Sequence, residues 1–493
     1  MPAPAEQPRV AIVGGGIAGL AAAFFLRDAG AAVTVLEGSP RLGGKLAVSE
    51  VAGIAVDAGA EALLARRPEG TGLAAAVGLA GQLVQPGTTA AGIWTRGRLR
   101  PLPQRQFMGV PADLDALADS GILSAPGLAS ARADAGLPAT ARAGDVSVAS
   151  YVGARFGREL VDRLVDPLLG GVYAGRSDQL SFEATLPALA AESRRHASLA
   201  AAAGAVIDAG NRGPGQAAGG DGPGPVFTTL AGGLGTLVPA VAAASGAVVR
   251  TRAMVRGLAR APGGWRLTVG SAHAPEQLDA DAVMLALPAA PASRLLAGVP
   301  GAAAAAAGLA QIPSASLAIV TLAYPDQAFP ALPTGSGYLV PAVDGHPVKA
   351  VTFSTVKWPH LRPAGRPVHI VRCSVGRLGE EALLQRDDAE LAALAAADLA
   401  AATGVRGAPL DTRVSRWGGS LPQYTVGHLD RVAGIRAALA AQPGIAACGA
   451  SYAGIGIPAC IASARAAADQ VIAYLGALAA VGPGAVAARR GGQ

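Results

Sequence analysis

Three glycines at fixed spacing, Gly14, Gly16 and Gly19, and one acidic residue, Glu37, are the first residues of this chain whose types and positions could do chemistry. In "RVAIVGGGIAGL" the glycines follow a short apolar run and open a helical stretch, the order in which backbone amides at a helix start hold a pyrophosphate. The first glycine permits a tight turn, the second lets phosphates approach the backbone, and the third lets helix and strand pack closely. Glu37 ends the next apolar run, "AVTVLE", 18 residues beyond Gly19, where a carboxylate accepts hydrogen bonds from ribose hydroxyls. A carboxylate there repels a 2′-phosphate. This disfavours NADP and leaves NAD or the adenosine half of FAD.

The following residues decide between the two. "EGSPRLGGK" places Gly43 and Gly44 between Arg41 and Lys45, and this E-x-x-x-R-x-G-G pattern resembles flavoproteins of the amine oxidase superfamily. The resemblance favours FAD. In "VDAGAEALLARRPE", Asp57, Gly59 and Glu61 follow another short strand and resemble the family segment that passes the isoalloxazine ring, so Gly59, Ala60, Glu61 and Ala62 are expected flavin contacts.

Strand, turn and helix elements must position these groups. The sequence predicts an α/β protein: a Rossmann-like FAD-binding domain assembled from the discontinuous segments 1–85, 226–290 and 411–478. Between them lie a helical inserted domain at 86–207 and a mixed-sheet substrate-binding domain at 291–410 that contains one Ala-rich helix at 388–403. Residues 208–225 read as a flexible Gly/Pro-rich loop and 479–493 as a disordered tail.

At 493 residues, 51% of them hydrophobic, the chain is long enough for several cores. The net charge of +6 is spread without a basic run, which argues against nucleic acid. The basic side is nearly all Arg; Lys occurs only at Lys45, Lys349 and Lys357. Three cysteines without C-x-x-C spacing argue against a disulfide framework or a zinc site, no metal is expected, and a reducing cytoplasm fits best. "QVIAYLGALAAVGPGAVAA" reads as a closing helix and tail instead of a membrane span; a peripheral membrane contact stays open.

Further segments narrow the resemblance. "GVYAGRSDQLS", "FTTLAGGLGTLV", "RWGGSLPQYTVGHLDRV" and "GASYAGIGIPACIASARAAA", in this order, make nearly the full chain similar to the coproporphyrinogen III and protoporphyrinogen IX oxidases of haem synthesis. Carried over by position, the resemblance puts Gly14, Gly15, Gly16, Ile17, Ala18 and Gly19 at the pyrophosphate, Glu37 and Gly38 at the ribose, and Lys45 nearby. Val255 would meet the adenine through its backbone and Trp417 would lie near the flavin. Ile455, Gly456 and Ile457 would offer backbone donors from a helix start, where a positive helix end stabilises a reduced, anionic flavin. Taken singly, Val255 and Trp417 also read as core residues. Cys448 and Cys460 flank the region where monoamine oxidases bond their flavin covalently, and both read as small buried apolar residues.

The implied reaction removes six electrons from a porphyrinogen in three rounds of hydride transfer to the flavin, each with proton loss from a pyrrole nitrogen. Oxygen is the implied acceptor and hydrogen peroxide the by-product. No catalytic base is assigned. Coproporphyrinogen carries four propionates, for which Arg66 and Arg67 are candidate partners, with two solvated arginines as the plain alternative. Tyr173 is a candidate stacking partner of the macrocycle or a core aromatic, and His428 either touches substrate or orients backbone near Trp417. The choice of coproporphyrinogen over protoporphyrinogen rests on similarity to bacterial members, and a transient contact with the next haem-pathway enzyme stays open. An amine oxidase or carotenoid desaturase on the same scaffold is a more distant alternative. An amine oxidase would be expected to carry an aromatic cage, and 4% of residues here are aromatic. A non-enzymatic binding protein on this fold would tend to lose the glycines or Glu37, which are all present here.

Overall fold

A computed structural model describes residues 7–140, 144–211, 226–362 and 365–480. The strand Arg9–Val13 is buried from Val10 onward on both faces, as suits a central strand of a parallel sheet. It lies in the middle of a five-stranded sheet ordered Val248–Arg250, Ala32–Leu36, Arg9–Val13, Ala282–Leu285 and Ile445–Ala447, with every neighbouring pair parallel. Three distant stretches of sequence thus build one sheet.

Helices Ile17–Leu26, Leu237–Ser245 and Ile457–Ala480 cover one face, where Leu20, Phe24, Val241, Ile461 and Ala468 share a core. The first of these, "IAGLAAAFFL", is apolar all round because other elements surround it. The opposite face packs on helices Ala289–Ala297, Ala303–Ala310 and His428–Ala440 and on an antiparallel sheet of Val255–Ala261, Gly264–Gly270 and Pro275–Ala280.

A second, seven-stranded mixed sheet runs Asp411–Pro422, Ser314–Pro325, Val368–Val375, Val348–Phe353, Gly337–Leu339, Ala91–Thr95 and Arg98–Pro101. One face, through Val320, Leu322, Val371, Cys373 and Val351, forms a core with helix Asp388–Thr403. That helix is delimited by sequence: Asp387 and Glu390 form a capping box, and Gly404 closes it in the left-handed conformation (φ 72°). The strands Ala91–Thr95 and Arg98–Pro101 fall in the stretch read from sequence as helical, and Asp411–Pro422 in the stretch assigned to the FAD-binding domain. The first two are short, lie at the sheet edge and carry Arg98, Arg100 and Pro101, residues that suit an edge and blur an alternating pattern.

The remaining helices, from Leu114–Ser120 to Leu199–Asn211, enclose their own core around Phe156, Leu164 and Phe182. Residues 208–211 of the Gly/Pro-rich segment end the last of these helices; 212–225 and 481–493 lie outside the described residues. Among the described residues, no helix is long and apolar enough to cross a membrane.

Candidate cofactor and active site

Two helices start at the carboxyl edge of the parallel sheet, Ile17–Leu26 after the first strand and Ile457–Ala480 after the last, where doubly wound sheets bind ligands. At the first start, Gly19 presses on the preceding turn: a Cβ there would stand 1.9 Å from the Gly14 carbonyl oxygen. Gly16 caps the helix without any side-chain hydrogen bond to its free amides, and a Cβ added to it meets nothing within 4 Å. Free donors around an open cradle are what a pyrophosphate requires.

Glu37 lies beside this turn. Its carboxylate accepts from the Gly15 and Ser39 amides at 2.8 Å each, which fixes it while leaving lone pairs for ribose hydroxyls. The Ala253 amide donates to the Glu37 carbonyl at 2.8 Å and the Arg252 amide to the Ser39 carbonyl at 2.9 Å, so the chain leading into Val255 runs along Glu37–Ser39. Met254 covers Gly38. The predicted ribose and adenine residues therefore come together, and the residues present fit FAD.

The predicted flavin segment is tied down at both ends. The Trp417 indole donates to the Ala58 carbonyl at 3.0 Å, the Ala60 amide donates to the Lys45 carbonyl at 3.2 Å, and Arg372 donates to the Gly59 carbonyl at 2.5 Å. Arg41 stands 5.6 Å over the Trp417 ring. Glu61 is spoken for: Lys357 donates to one carboxylate oxygen at 2.7 Å and Arg372 to the other. Burial pushes the Glu61 carboxyl upward, but the two cations outweigh it and hold it down at about 2. Arg372 and Lys357 were not singled out from sequence; their partner lies about 300 positions away.

Ile455, Gly456 and Ile457 form the start of helix Ile457–Ala480, with Gly456 exposed. Tyr424 clamps the preceding loop, donating to the Ala450 carbonyl at 2.6 Å and accepting from the Gly454 amide at 2.7 Å. His428 stacks on Tyr424, ring centroids 3.8 Å apart, with Nε2 3.2 Å from the Tyr452 carbonyl. It orders backbone at Tyr452.

Arg67 is bound to Glu69 two residues on, at 2.5 Å, and Arg66 is exposed near Gly210, at the end of helix Leu199–Asn211. Tyr173 is buried against Tyr424, centroids 5.7 Å apart. Its neighbour Val172 is 42% exposed, and Gly171 packs on Leu339 of the seven-stranded sheet. Leu339 pairs with Ala350, Ala350 with Ser374 and Ser374 with Ile319, so these four side chains share one face. Arg372, two residues from Ser374, shares that face, which is therefore turned toward the flavin segment.

Cys448 and Cys460 are both buried free thiols, which burial pushes up to about 12 and about 11. Thiols held protonated are poor nucleophiles toward a flavin ring. Heat or acid precipitation is accordingly expected to leave the flavin in the supernatant; colour retained in the washed pellet would contradict this.

A model of the flavin containing amine oxidoreductase family matches residues 17–472. The chain is 39% identical to a coproporphyrinogen III oxidase of Mycobacterium tuberculosis over 94% of its own length and 98% of that protein's, and 32% identical to one of Bacillus subtilis over 95% and 99%. A protoporphyrinogen oxidase of Bos taurus is 31% identical over 94% and 98%. A crystal structure from Exiguobacterium sp. 255-15 superposes with a TM-score of 0.82 at 31% identity, covering 95% of this chain and 99% of that one. A putrescine oxidase at 18% identity and TM-score 0.65, covering 95% and 99%, shares the fold alone. The glycine cradle, Glu37 and these likenesses together show that the chain belongs to the flavin containing amine oxidoreductase family, in its branch of coproporphyrinogen III and protoporphyrinogen oxidases, and is an FAD-dependent oxidoreductase.

Proposed function

We propose that the protein oxidises coproporphyrinogen III to coproporphyrin III, with oxygen as acceptor and hydrogen peroxide as by-product. The observation that carries the reading is the near full-length likeness to coproporphyrinogen III oxidases. Bound FAD supplies the two-electron oxidation, used three times per macrocycle.

The chain's own residues bind and orient. Gly16 and the amides behind it receive the pyrophosphate, Glu37 holds the ribose, and Val255 lies along the adenine side. Trp417, Arg372 and the Glu61–Lys357 pair fix the segment Gly59–Ala62, so that a flavin resting on it keeps one orientation to the sheet. The helix start at Gly456 directs its amides toward the site, and Tyr424 keeps that start in place. Leu339, Ala350 and Ile319 give the flavin-facing sheet an apolar floor suited to a tetrapyrrole plane, with Gly171 and Val172 beside it.

Steady-state rates on coproporphyrinogen III and protoporphyrinogen IX, followed by the appearance of porphyrin fluorescence, test the reading. A higher kcat/KM for coproporphyrinogen with stoichiometric peroxide is expected. Preference for the two-propionate substrate would overturn it in favour of a protoporphyrinogen oxidase.

A further inference from the structure

The chain uses lysine at three positions against 37 arginines among its 40 cationic residues. The Lys45 carbonyl receives the Ala60 amide, and Lys357 holds Glu61. Lys349 has neither role. Its side chain is 3% exposed and, among the described residues, its only hydrogen-bond partner is the Ser374 hydroxyl. A register shift between Val348 and Ala350 turns it onto the flavin-facing side of the sheet.

Strand register locates it further. Successive rows across that face carry Arg372 with Thr321, then Ser374 with Ile319, then Leu317 with Trp417. Arg372 and Trp417 are the two side chains that grip the flavin segment, so Lys349, held on Ser374, stands in the row between the grips. The charged groups around it are Arg377 and Glu380 beyond its own strand, Arg176 paired with Glu380 from the helical region, and Arg372, already matched by Glu61. Among the described residues no carboxylate bonds Lys349. A buried ammonium without an anion is costly, whereas a buried neutral amine is not. Arginine is effectively always protonated; lysine gives up its proton readily when buried.

We propose that Lys349 is the group that takes the pyrrole proton released in each oxidative round, one remaining bridging-carbon proton moving to nitrogen by tautomerisation so that the porphyrin keeps two N–H groups, a proposal that rests on the porphyrinogen reading above. The pyrrole N–H bond breaks toward Nζ and the nitrogen electrons enter the ring system. Meanwhile a bridging carbon gives up its hydrogen with the bonding electron pair to the flavin, which is the oxidant. The substrate thus loses one proton and two electrons with one hydrogen nucleus, the amine becomes an ammonium, and that proton passes on to solvent before the next round. Burial first, and Arg377 second, bring the Lys349 amine down to about 7, so the proton-accepting form is abundant at neutral pH.

The scarcity of lysine makes the test direct. With lysine labelled at carbon-13 Cε, the wild-type protein shows three side-chain signals by NMR; one should titrate near neutrality and vanish in Lys349→Arg. Titration of all three above about 9 would overturn the proposal whatever the variants do. Lys349→Met and Lys349→Arg should keep flavin absorbance and quench on coproporphyrin binding like wild type, while kcat falls about 10²-fold or more in both. The wild-type rise of kcat with pH through about 7 should disappear in both variants. Full activity in Lys349→Arg would show that only the positive charge matters, and full activity in Lys349→Met that neither does; each overturns the proposal while leaving the substrate reading intact. A wild type that oxidises neither porphyrinogen overturns that reading, and this inference with it.

Discussion

Gly16→Val is expected to give a folded protein without flavin. The backbone at Gly16 has φ −73° and ψ 178°, extended geometry that a β-branched residue adopts readily. Nothing in the chain lies within 4 Å of the added Cβ, so the apoprotein should lose about 1 kcal/mol at most, through the poorer helix cap. The valine side chain instead fills the space the pyrophosphate needs and separates it from the amides of Ile17–Leu26. An affinity loss of at least about a hundredfold, near 3 kcal/mol, should follow. Flavin absorbance relative to protein, read beside circular dichroism, checks both halves. Gly19→Val makes the contrast, because its Cβ would strike the Gly14 carbonyl and should cost the fold as well. A yellow Gly16→Val protein would mean that the phosphates lie elsewhere.

Glu61→Gln should be the most destabilising single change in the site. It leaves Lys357 and Arg372, 17% and 7% exposed, without the carboxylate they share. Removing one partner of a buried ion pair costs about 3–5 kcal/mol, largely because the remaining charges stay desolvated. The sign with pH follows from the lowered carboxyl: held at about 2 against an ordinary 4.5, Glu61 contributes stability above about pH 4.5 and loses it as pH falls toward 2. The gap between wild type and Glu61→Gln in urea unfolding should therefore be full at neutral pH and narrow in acid. An equal gap at both would assign the loss to shape instead of charge. Lys357→Met in the same chain should return part of the stability, since it removes one of the stranded cations.

The glycine cradle and Glu37 were legible in the sequence because their geometry is local: strand, turn, helix and strand within thirty residues carry it, and each step has its own residue signal. The five-stranded sheet was legible for the same reason, since "RVAIV", "AVTVL" and "AVML" are buried runs that end where the chain turns. The grip on the flavin segment was not. Glu61 meets Arg372 across 311 residues and Lys357 across 296, and only the register of the second sheet sets those distances. Arg67, a propionate candidate or a solvated arginine from sequence, pairs with Glu69 two residues away, a contact that the residue types alone do not dictate. Tyr424 lay within a segment noted for its resemblance, but its clamp on the loop before Ile455 depends on a contact 30 residues on. The rarity of lysine was visible from the outset; its meaning needed the rows of the sheet.

The parallel sheet also dictates an order of assembly during synthesis. Its outer strand Ile445–Ala447 and the helix Ile457–Ala480 leave the ribosome after every other element of the site. Until then the nascent chain has made the glycine turn and the helix Ile17–Leu26, but the apolar side that Ile461, Ala464 and Ala468 will cover faces water. The cofactor cannot be enclosed by a half-made chain, so its capture reports that translation has run through the last helix. Until that point the apolar side of the first helix stays uncovered, and bound flavin marks the meeting of helices Ile17–Leu26 and Ile457–Ala480.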